Sequence, residues 1–464
     1  MGSRLKVMYA PSVIVVGAGL AGLSAAVQLM KDGARVSVIE ARARVGGRVL
    51  TIRDAFTQGQ HAEAGAEFID EGQDEIKHLV HEFGLTLRPI LRKGFSFVQQ
   101  KGTGSLQGRP ISMERAWTPI ADQAKPLVRA YRLAEERWDG AIARSLAQRS
   151  VAEWLDEIKA DDRMRSMVRG LRGFFLADPE DLSLLALVDQ LASDTPGRQS
   201  MSRIEGGNDR LPAEMALSLG DGLHLNTAAV AIRYDHASAH VTVQRPGGDQ
   251  AHMKSDYVIL ALPVTTLRSI DIKPGLPLEQ TNAYSRLKYG RVTKSLLQFD
   301  RRFWQKTGRP RAYGTDAPTG AIWDSNEEQR GRAGILTLMA GGQASEDSRK
   351  IVAQEGVEGL VRSLEWLKPG SAELLRSYLM TWEDDPWAQG GYAYFDPGFD
   401  PAWRPWLARP HGRILFAGEQ TSIKWQGYMN GAVESGLRAA AEMWALASGA
   451  QRDFRFQISN LRSK

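Results

Sequence analysis

The sequence predicts an α/β protein: a parallel-sheet domain with a second, α+β domain interleaved through it. Three observations predict it. A strand, a glycine-rich turn, a helix and a second strand follow one another between residues 12 and 39; further β-forming runs lie between residues 230 and 262; and helical stretches with their own start and stop signals separate these blocks. Ser12–Val16 is a short apolar β run. After the break at Gly17, Leu20, Leu23, Ala26 and Leu29 recur at helical spacing as far as the turn pair Asp32-Gly33, and Arg35–Ile39 is the second β run. Ser150 and Glu153 have capping-box spacing ahead of Trp154, Leu155 and Ile158. Val230–Tyr234 and Val241–Val243 precede the turn Pro246-Gly247-Gly248, and Tyr257–Leu262 is an apolar strand stopped by Pro263, so more sheet is expected in the first domain. Val357, Leu360, Val361 and Leu364 share a helical face that Pro369-Gly370 ends. No fixed-period repeat or low-complexity linker separates the blocks. The first domain is therefore expected in three pieces, 1–80, 201–275 and 381–464, and the second in two, 81–200 and 276–380.

Composition narrows the function classes. With 464 residues, 43% apolar and 24% charged, the chain has the make-up of a soluble protein of two or three domains. The net charge of +5 is spread among acidic residues, which argues against a nucleic-acid partner. The absence of cysteine excludes disulfides, thiolate nucleophiles, zinc–thiolate sites and any cofactor bonded through a cysteine sulfur. The long apolar run Val13–Met30 is broken by Gly17, Gly19 and Gly22 and reads as strand, turn and helix rather than as a signal peptide or membrane span. Arg452, Asp453, Arg455 and Arg462 keep the segment Met443–Lys464 from anchoring in a bilayer. No membrane partner is expected, and a cytoplasmic location is the default. His78 and His81 lack a third ligand at suitable spacing, so they read as ordinary helix residues and no metal is expected.

The glycine turn carries chemistry. In Gly17-Ala18-Gly19-Leu20-Ala21-Gly22 the first glycine permits a tight turn, the second lets backbone approach a pyrophosphate, and the third lets helix and strand pack closely. Phosphates then meet the free N–H groups and the positive dipole end of the helix that Leu20 and Ala21 open. Glu40, closing the second strand, is placed to accept hydrogen bonds from both ribose hydroxyls, and its charge repels a 2′-phosphate. The following Arg42-Ala43-Arg44-Val45-Gly46-Gly47-Arg48 brings backbone at Gly47 and the guanidinium groups of Arg42 and Arg48 to the far side of a pyrophosphate, while Arg44 reads as a solvated surface charge. This is a Rossmann-like arrangement for a dinucleotide.

From these residues the chain resembles the FAD-dependent amine oxidases, the group of monoamine, polyamine and L-amino acid oxidases. The glycine turn, Glu40 and Arg44-Val45-Gly46-Gly47-Arg48 look like that family's FAD fingerprint, and Glu63-Ala64-Gly65-Ala66-Glu67-Phe68 looks like the flavin-contacting segment that follows. Phe416-Ala417-Gly418-Glu419 and Trp425-Gln426-Gly427-Tyr428-Met429-Asn430-Gly431-Ala432-Val433 resemble its closing motif, in which a helix N-terminus points at the flavin. The resemblance implies a Rossmann-like FAD-binding domain, with Gly65, Ala66, Glu67, Val230, Gly418, Glu419, Tyr428, Met429 and Ala432 joining Gly17, Gly19, Leu20, Ala21, Gly22, Glu40, Arg42, Gly47 and Arg48 around the cofactor.

A flavin performs two-electron chemistry itself, so orientation and a dry pocket are what the protein must add. Lys294, in the β-forming run Val292–Phe299, reads by itself as an exposed charge on a strand; the resemblance makes it the lysine that holds a water against flavin N5. Trp382 and the segment Gly390–Phe395 resemble the stretch along the flavin's reactive edge. The positions at which monoamine oxidases carry a flavin-bonding cysteine and then a cage tyrosine hold Tyr392 and Ala393 here, so FAD is expected without a covalent link to cysteine. One cage wall is missing or replaced by Tyr392 or Tyr394; Tyr428 matches the opposite wall. Tyr392 reads equally as cage wall and as packing.

The expected activity is hydride transfer from the α-carbon of a neutral amine to flavin N5, hydrolysis of the imine to a carbonyl compound, and reoxidation by O2 to hydrogen peroxide, with Lys294, Tyr428, Trp382 and Tyr392 around the reacting centre. L-amino acid oxidases place a carboxylate-binding arginine where Phe68 stands, which makes an α-amino acid the second choice of substrate. Glu67, Asp70, Glu71, Asp74 and Glu75 either steer a cationic amine or form a solvated first helical turn. A flavin desaturase acting on C–C bonds and a non-catalytic FAD-binding protein are the alternatives of other classes. A homodimer is one assembly the sequence allows.

Overall fold

The computed structural model describes residues 10–101, 105–106, 110–193 and 200–449. Arg452, Asp453, Arg455 and Arg462, on which the reading of the C-terminal segment rests, lie outside the described residues.

The first sheet is parallel and grows from the β-α-β unit at the start of the chain. Ser12–Val16 pairs in parallel with Arg35–Ile39 on one side and Tyr257–Leu260 on the other, and Leu223–His224 and Ile414–Phe416 complete five strands. The helix Leu20–Lys31 covers the sheet, and a Cβ on Gly22 would lie only 1.9 Å from the Gly17 carbonyl oxygen. That close approach is what the third glycine of the turn supplies. The closing helix, Met429–Ala447, packs on Leu20–Lys31 across Gly436, where a Cβ would stand 2.2 Å from the Ala21 carbonyl. The two ends of the chain thus share one core, with Val13, Val15, Leu23, Leu29, Ile259, Leu415, Val433 and Met443 buried together.

The later β runs divide. Tyr257–Leu260 enters the parallel sheet, whereas Ala228–Tyr234 and Ala239–Gln244 join Gln250–Ser255 and Asp271–Lys273 in a separate four-stranded sheet. Alternating buried and exposed residues along Ala239–Gln244 explain the separation, since such a strand covers a core with one face only.

A seven-stranded sheet takes its strands from two distant parts of the chain, Ser96–Val98 and Ile111–Ser112 from the first and five strands between residues 292 and 381 from the second. Val292–Phe299 lies between Gly334–Gly341 and Leu374–Thr381, antiparallel to both, with all of its residues buried. Its period-two alternation sends Leu297 and Phe299 into a core with Leu360, Leu364 and Leu367, and Leu296 into another with Phe56, Ala62 and Ala64. Lys294 shares the face of Leu296, toward the segment 62–67. The expected helix at 357–364 ends at Arg362, and a single 3₁₀ turn, Glu365–Leu367, carries its apolar face on. The capping box at Ser150 and Glu153 is present, with both reciprocal hydrogen bonds formed.

Candidate active site

One cavity of about 690 Å³ runs from the glycine turn at the C-terminal edge of the parallel sheet to the face of the seven-stranded sheet. At its first end, Gly17, Gly19, Leu20 and Ala21 form the wall. Gly19 caps the helix without a side-chain hydrogen bond, which leaves first-turn N–H groups for a ligand. Glu40 stands beside them, its Oε2 accepting from the Ala18 N–H at 2.8 Å and its Oε1 from the Arg42 N–H at 2.9 Å. These bonds fix a buried carboxylate at the end of the strand and leave lone pairs for a diol.

Arg42 and Arg48 both border the cavity and are anchored on carboxylates, Arg42 on Asp385 at 2.5 Å and Arg48 on Glu419 at 3.0 Å. Arg44 corrects its expectation. It is half-buried, and its guanidinium donates to the carbonyls of Val45, Gly47 and Val49, so it latches the Gly46-Gly47 turn rather than standing in solvent. Val230 does not line the cavity either. The strand carries an irregularity between Ala229 and Ala231, and Thr227, Ala228 and Ala229 form the wall instead. Gly22 acts through helix–strand packing and is likewise absent from the wall. The other expected cofactor residues, Gly47, Gly65, Ala66, Glu67, Gly418, Glu419, Tyr428, Met429 and Ala432 among them, all border it.

The far end is closed by the last helix. Tyr428 is its N-cap and makes no side-chain capping bond, so the N–H groups of that first turn are again left without a side-chain cap. Glu419 joins three segments there: its Oε1 accepts from Arg48 and from the Ala393 N–H at 3.2 Å, and its Oε2 from the Gly427 N–H at 2.9 Å. Two glycine-edged helix ends, a carboxylate at the strand terminus and an elongated cleft between them fit a flavin dinucleotide, whose adenosine would be held at the Glu40 end and whose ring would be held at the Tyr428 end.

Lys294 reaches this ring end. Its Nζ donates to the Glu67 carboxylate at 2.8 Å and to the carbonyls of Gly65 at 2.9 Å and Glu63 at 3.1 Å, and lies 5.1 Å from the Trp323 ring centre. A solvent-facing lysine is therefore ruled out by burial on both sides of the strand. Trp382 is buried beside it and donates from Nε1 to the Ala64 carbonyl at 3.0 Å. The Glu63 carboxyl, fully enclosed, is pushed up to about 8 by burial, although the Asn208 N–H and the Thr51 hydroxyl donate to it.

Aromatic rings form two walls. Tyr392 stands next to Tyr428, packs on Gly427, and donates its hydroxyl to the Phe174 carbonyl; the Phe174 ring meets that of Tyr428 with centroids 6.5 Å apart. Burial pushes the Tyr392 phenol up, so it stays neutral. Tyr392 and Tyr394 both border the cavity, and Tyr392 is the one that lies against Gly427; the rings in contact with that of Tyr428 are Phe174 and Trp425, the latter with centroids 5.7 Å apart. On the other wall Phe68, Phe95 and Trp323 touch mutually, with centroids 5.3 to 6.1 Å apart. The acidic cluster comes apart. Glu67 is consumed in the ion network, Asp70 borders the cavity with its carboxyl pushed up to about 6 by burial, and Asp74 and Glu75 open the helix Asp74–Glu82, where Glu75 accepts from Asn430.

Phe95, Phe174, Arg203 and Trp323 went unread in the sequence. None lies in a motif; Arg203 and Trp323 sit on two short strands, Met201–Ile204 and Ala321–Asp324, whose burial does not alternate and whose place in the fold is set by distant segments.

The chain is similar to flavin amine oxidases along most of its length. A protein named "Putative flavin-containing monoamine oxidase AofH" from Mycobacterium tuberculosis is 32% identical over 94% of this chain and 96% of its own length. The amine oxidase [flavin-containing] B of Cavia porcellus is 28% identical over 93% of this chain and 85% of that protein. In solved structures, putrescine oxidase bound to putrescine superposes with a TM-score of 0.80 at 25% identity, covering 94% of this chain and 99% of that one. Cyclohexylamine oxidase from Brevibacterium oxydans IH-35A shares the fold, with a TM-score of 0.83 at 24% identity over 95% of this chain and all of that one. The family model of the flavin-containing amine oxidoreductases matches residues 20–444, and the chain belongs to that family.

Proposed function

We propose that this protein oxidises an amine with an apolar body, using non-covalently bound FAD and O2. The observation that carries the substrate class is the pair of aromatic walls. Tyr392, Tyr428 and the partly exposed Phe174 on one side and Phe68, Phe95 and Trp323 on the other border the reacting end of the cavity. Such walls exclude water and favour the uncharged amine, whose lone pair is needed as the α-C–H bond breaks.

A substrate carboxylate finds no comparable support. Phe68 occupies the position of the expected arginine, and the arginines bordering the cavity are committed: Arg42 to Asp385, Arg48 to Glu419, and Arg404 to Gln426 and the carbonyls of Ser422 and Ile423. Lys294 already has three acceptors for its three N–H donors. To hold a water it must release one of them, and Glu63 O, at 3.1 Å, is the longest of the three.

The cofactor, when bound, supplies the two-electron chemistry: it takes a hydride from the amine and returns two electrons to oxygen. The protein's residues hold the amine between the rings, keep water out and orient a proton donor at Lys294. In sum, R–CH2–NH2, O2 and H2O become R–CHO, NH3 and H2O2. With no cysteine in the chain, the flavin has no sulfur to bond to. Nitrogen and hydroxyl donors grip it instead, Gly47, Arg48 and the two helix N-termini among them.

The deciding experiment is anaerobic mixing of the yellow holoenzyme with a panel of aryl and alkyl monoamines, diamines and L-amino acids. Rapid bleaching by monoamines, followed by stoichiometric peroxide on admitting oxygen, is expected. Bleaching by L-amino acids alone, or by none of the panel, overturns the reading.

A further inference from the structure

Lys294 is one end of a buried chain of charges. Glu67 bonds Lys294 through Oε2 at 2.8 Å; its Oε1 receives Arg203 Nη2 at 2.8 Å and Trp323 Nε1 at 2.7 Å. Arg203 continues to Glu328 at 3.0 Å and donates to the carbonyls of Ser325 at 2.7 Å and Asp324 at 3.0 Å. The side chains of Lys294, Glu67 and Arg203 are 4%, 2% and 3% exposed, so solvent does little to screen them. They come from separate segments: the strand Val292–Phe299, the turn after Ala62–Glu63, and the strand Met201–Ile204.

One carboxylate between two cations has a chemical consequence. Buried ions are costly unless fully paired, and a lone lysine–carboxylate pair in a low-dielectric site can shed its charges by passing a proton from Nζ to Oε2. A second cation on the same carboxylate opposes that transfer, because it stabilises the ionised acid. Arg203 cannot itself give up its proton, which makes it suited to the task.

We propose that Arg203 is a positioning residue for Lys294: acting through Glu67, it keeps the Lys294 ammonium charged and aimed at the ring end of the cavity. The inference rests on the amine-oxidase reading above. The other charged and titratable groups around the chain are Glu63, Asp324 and Glu328, with His61, Arg53 and Asp209 beyond them. Glu67 and Lys294 both border the cavity, with Lys294 beside the Trp323 ring, so a change in the charge of the pair would be felt by a flavin ring held there.

Three variants of the holoenzyme test it: Glu67→Gln, Arg203→Met and Arg203→Lys. The flavin reduction potential, measured by dye equilibration, is the readout that packing alone does not move in a charge-dependent sense. Glu67→Gln removes an anion and is expected to raise the potential; Arg203→Met removes a cation and is expected to lower it; Arg203→Lys keeps the charge and is expected to stay close to wild type. Reoxidation by O2 is expected to slow about tenfold in Arg203→Met and to recover most of that loss in Arg203→Lys. Shifts of the same sign in Glu67→Gln and Arg203→Met, or unchanged potentials with only a lower melting temperature, overturn the proposal. Should Arg203→Met fail to fold, an unchanged potential in Glu67→Gln overturns it alone. Bleaching of the wild type by amines is scored separately, so a failure of the substrate reading is not confused with a failure of the network.

Discussion

At the scale of single residues, the proposed function depends on a lysine whose environment is more demanding than its sequence suggests. Lys294 sits in a run of buried strand residues and gives its three N–H groups to Glu63 O, Gly65 O and Glu67. Replacing it with Met keeps the volume of the stem but removes the charge, leaving Glu67 with Arg203 and Trp323 as partners. Stopped-flow measurement of Lys294→Met should show reoxidation slowed by about 10²-fold, the scale of a lost proton donor, with anaerobic reduction by amine much less affected. Equal slowing of both half-reactions would remove the lysine from the oxygen step. The proposed selectivity rests on Phe68 in a similar way. Its ring fills the wall with Phe95 and Trp323, so Phe68→Ala should raise KM for aryl amines by about tenfold while kcat changes less, read from steady-state peroxide assays.

At the scale of elements, two helices are made to meet by the absence of side chains. Gly22 lets Leu20–Lys31 press on the glycine turn, and Gly436 lets Met429–Ala447 cross it closely. A methyl group at either place meets backbone oxygen at about bonding distance, and backbone cannot swing aside as a side chain can: 1.9 Å from Gly17 O and 2.2 Å from Ala21 O. Gly22→Ala is therefore expected to yield protein that purifies with little or no yellow colour, because the displaced turn is the one that meets the phosphates. Gly436→Ala is expected to lower the melting temperature by several degrees, the effect of one to a few kcal/mol, about 1–3, in an overpacked contact. Flavin content from the 450 nm region and a thermal melt measure the two outcomes. A Gly22→Ala protein with its full complement of bound flavin would disconnect that packing from cofactor binding.

Across the whole molecule, the buried carboxyl groups give stability a pH dependence. Glu63 titrates at about 8 in the fold against an ordinary 4.5 for a glutamate in water, so the folded state holds a proton that the unfolded chain has lost throughout that window. Stability from this group is complete below about 4.5 and falls as the pH rises towards 8. Glu63→Gln keeps an uncharged acceptor oxygen for the Asn208 N–H and presents its NH2 as a donor to the Thr51 hydroxyl oxygen, so the melting temperature of the variant relative to wild type should rise between pH 6 and pH 8.5; a constant difference would mean that Glu63 is ionised in the native protein. His61 works in the opposite sense, its imidazole pushed down from 6.5 to about 4 mainly by burial, so its contribution is lost as the pH falls through that interval.

The nucleotide end is written locally in the chain. Gly17 to Gly22, Glu40 and the Gly46-Gly47 turn are legible because neighbours in sequence build the site, and each demand on backbone geometry has its own residue type. The closing segment around Tyr428 is likewise contiguous in the chain, and its helix end borders the same cavity. The reacting end was settled by folding alone. Whether Lys294 faces water or a carboxylate, whether Tyr392 or Tyr394 packs on Gly427, and that Arg203 grips Glu67 all depend on which face of a strand is covered and by what. Those contacts join residues far apart in the chain, and no local pattern encodes the partner of a side chain whose environment is assembled only when two sheets close on one cavity.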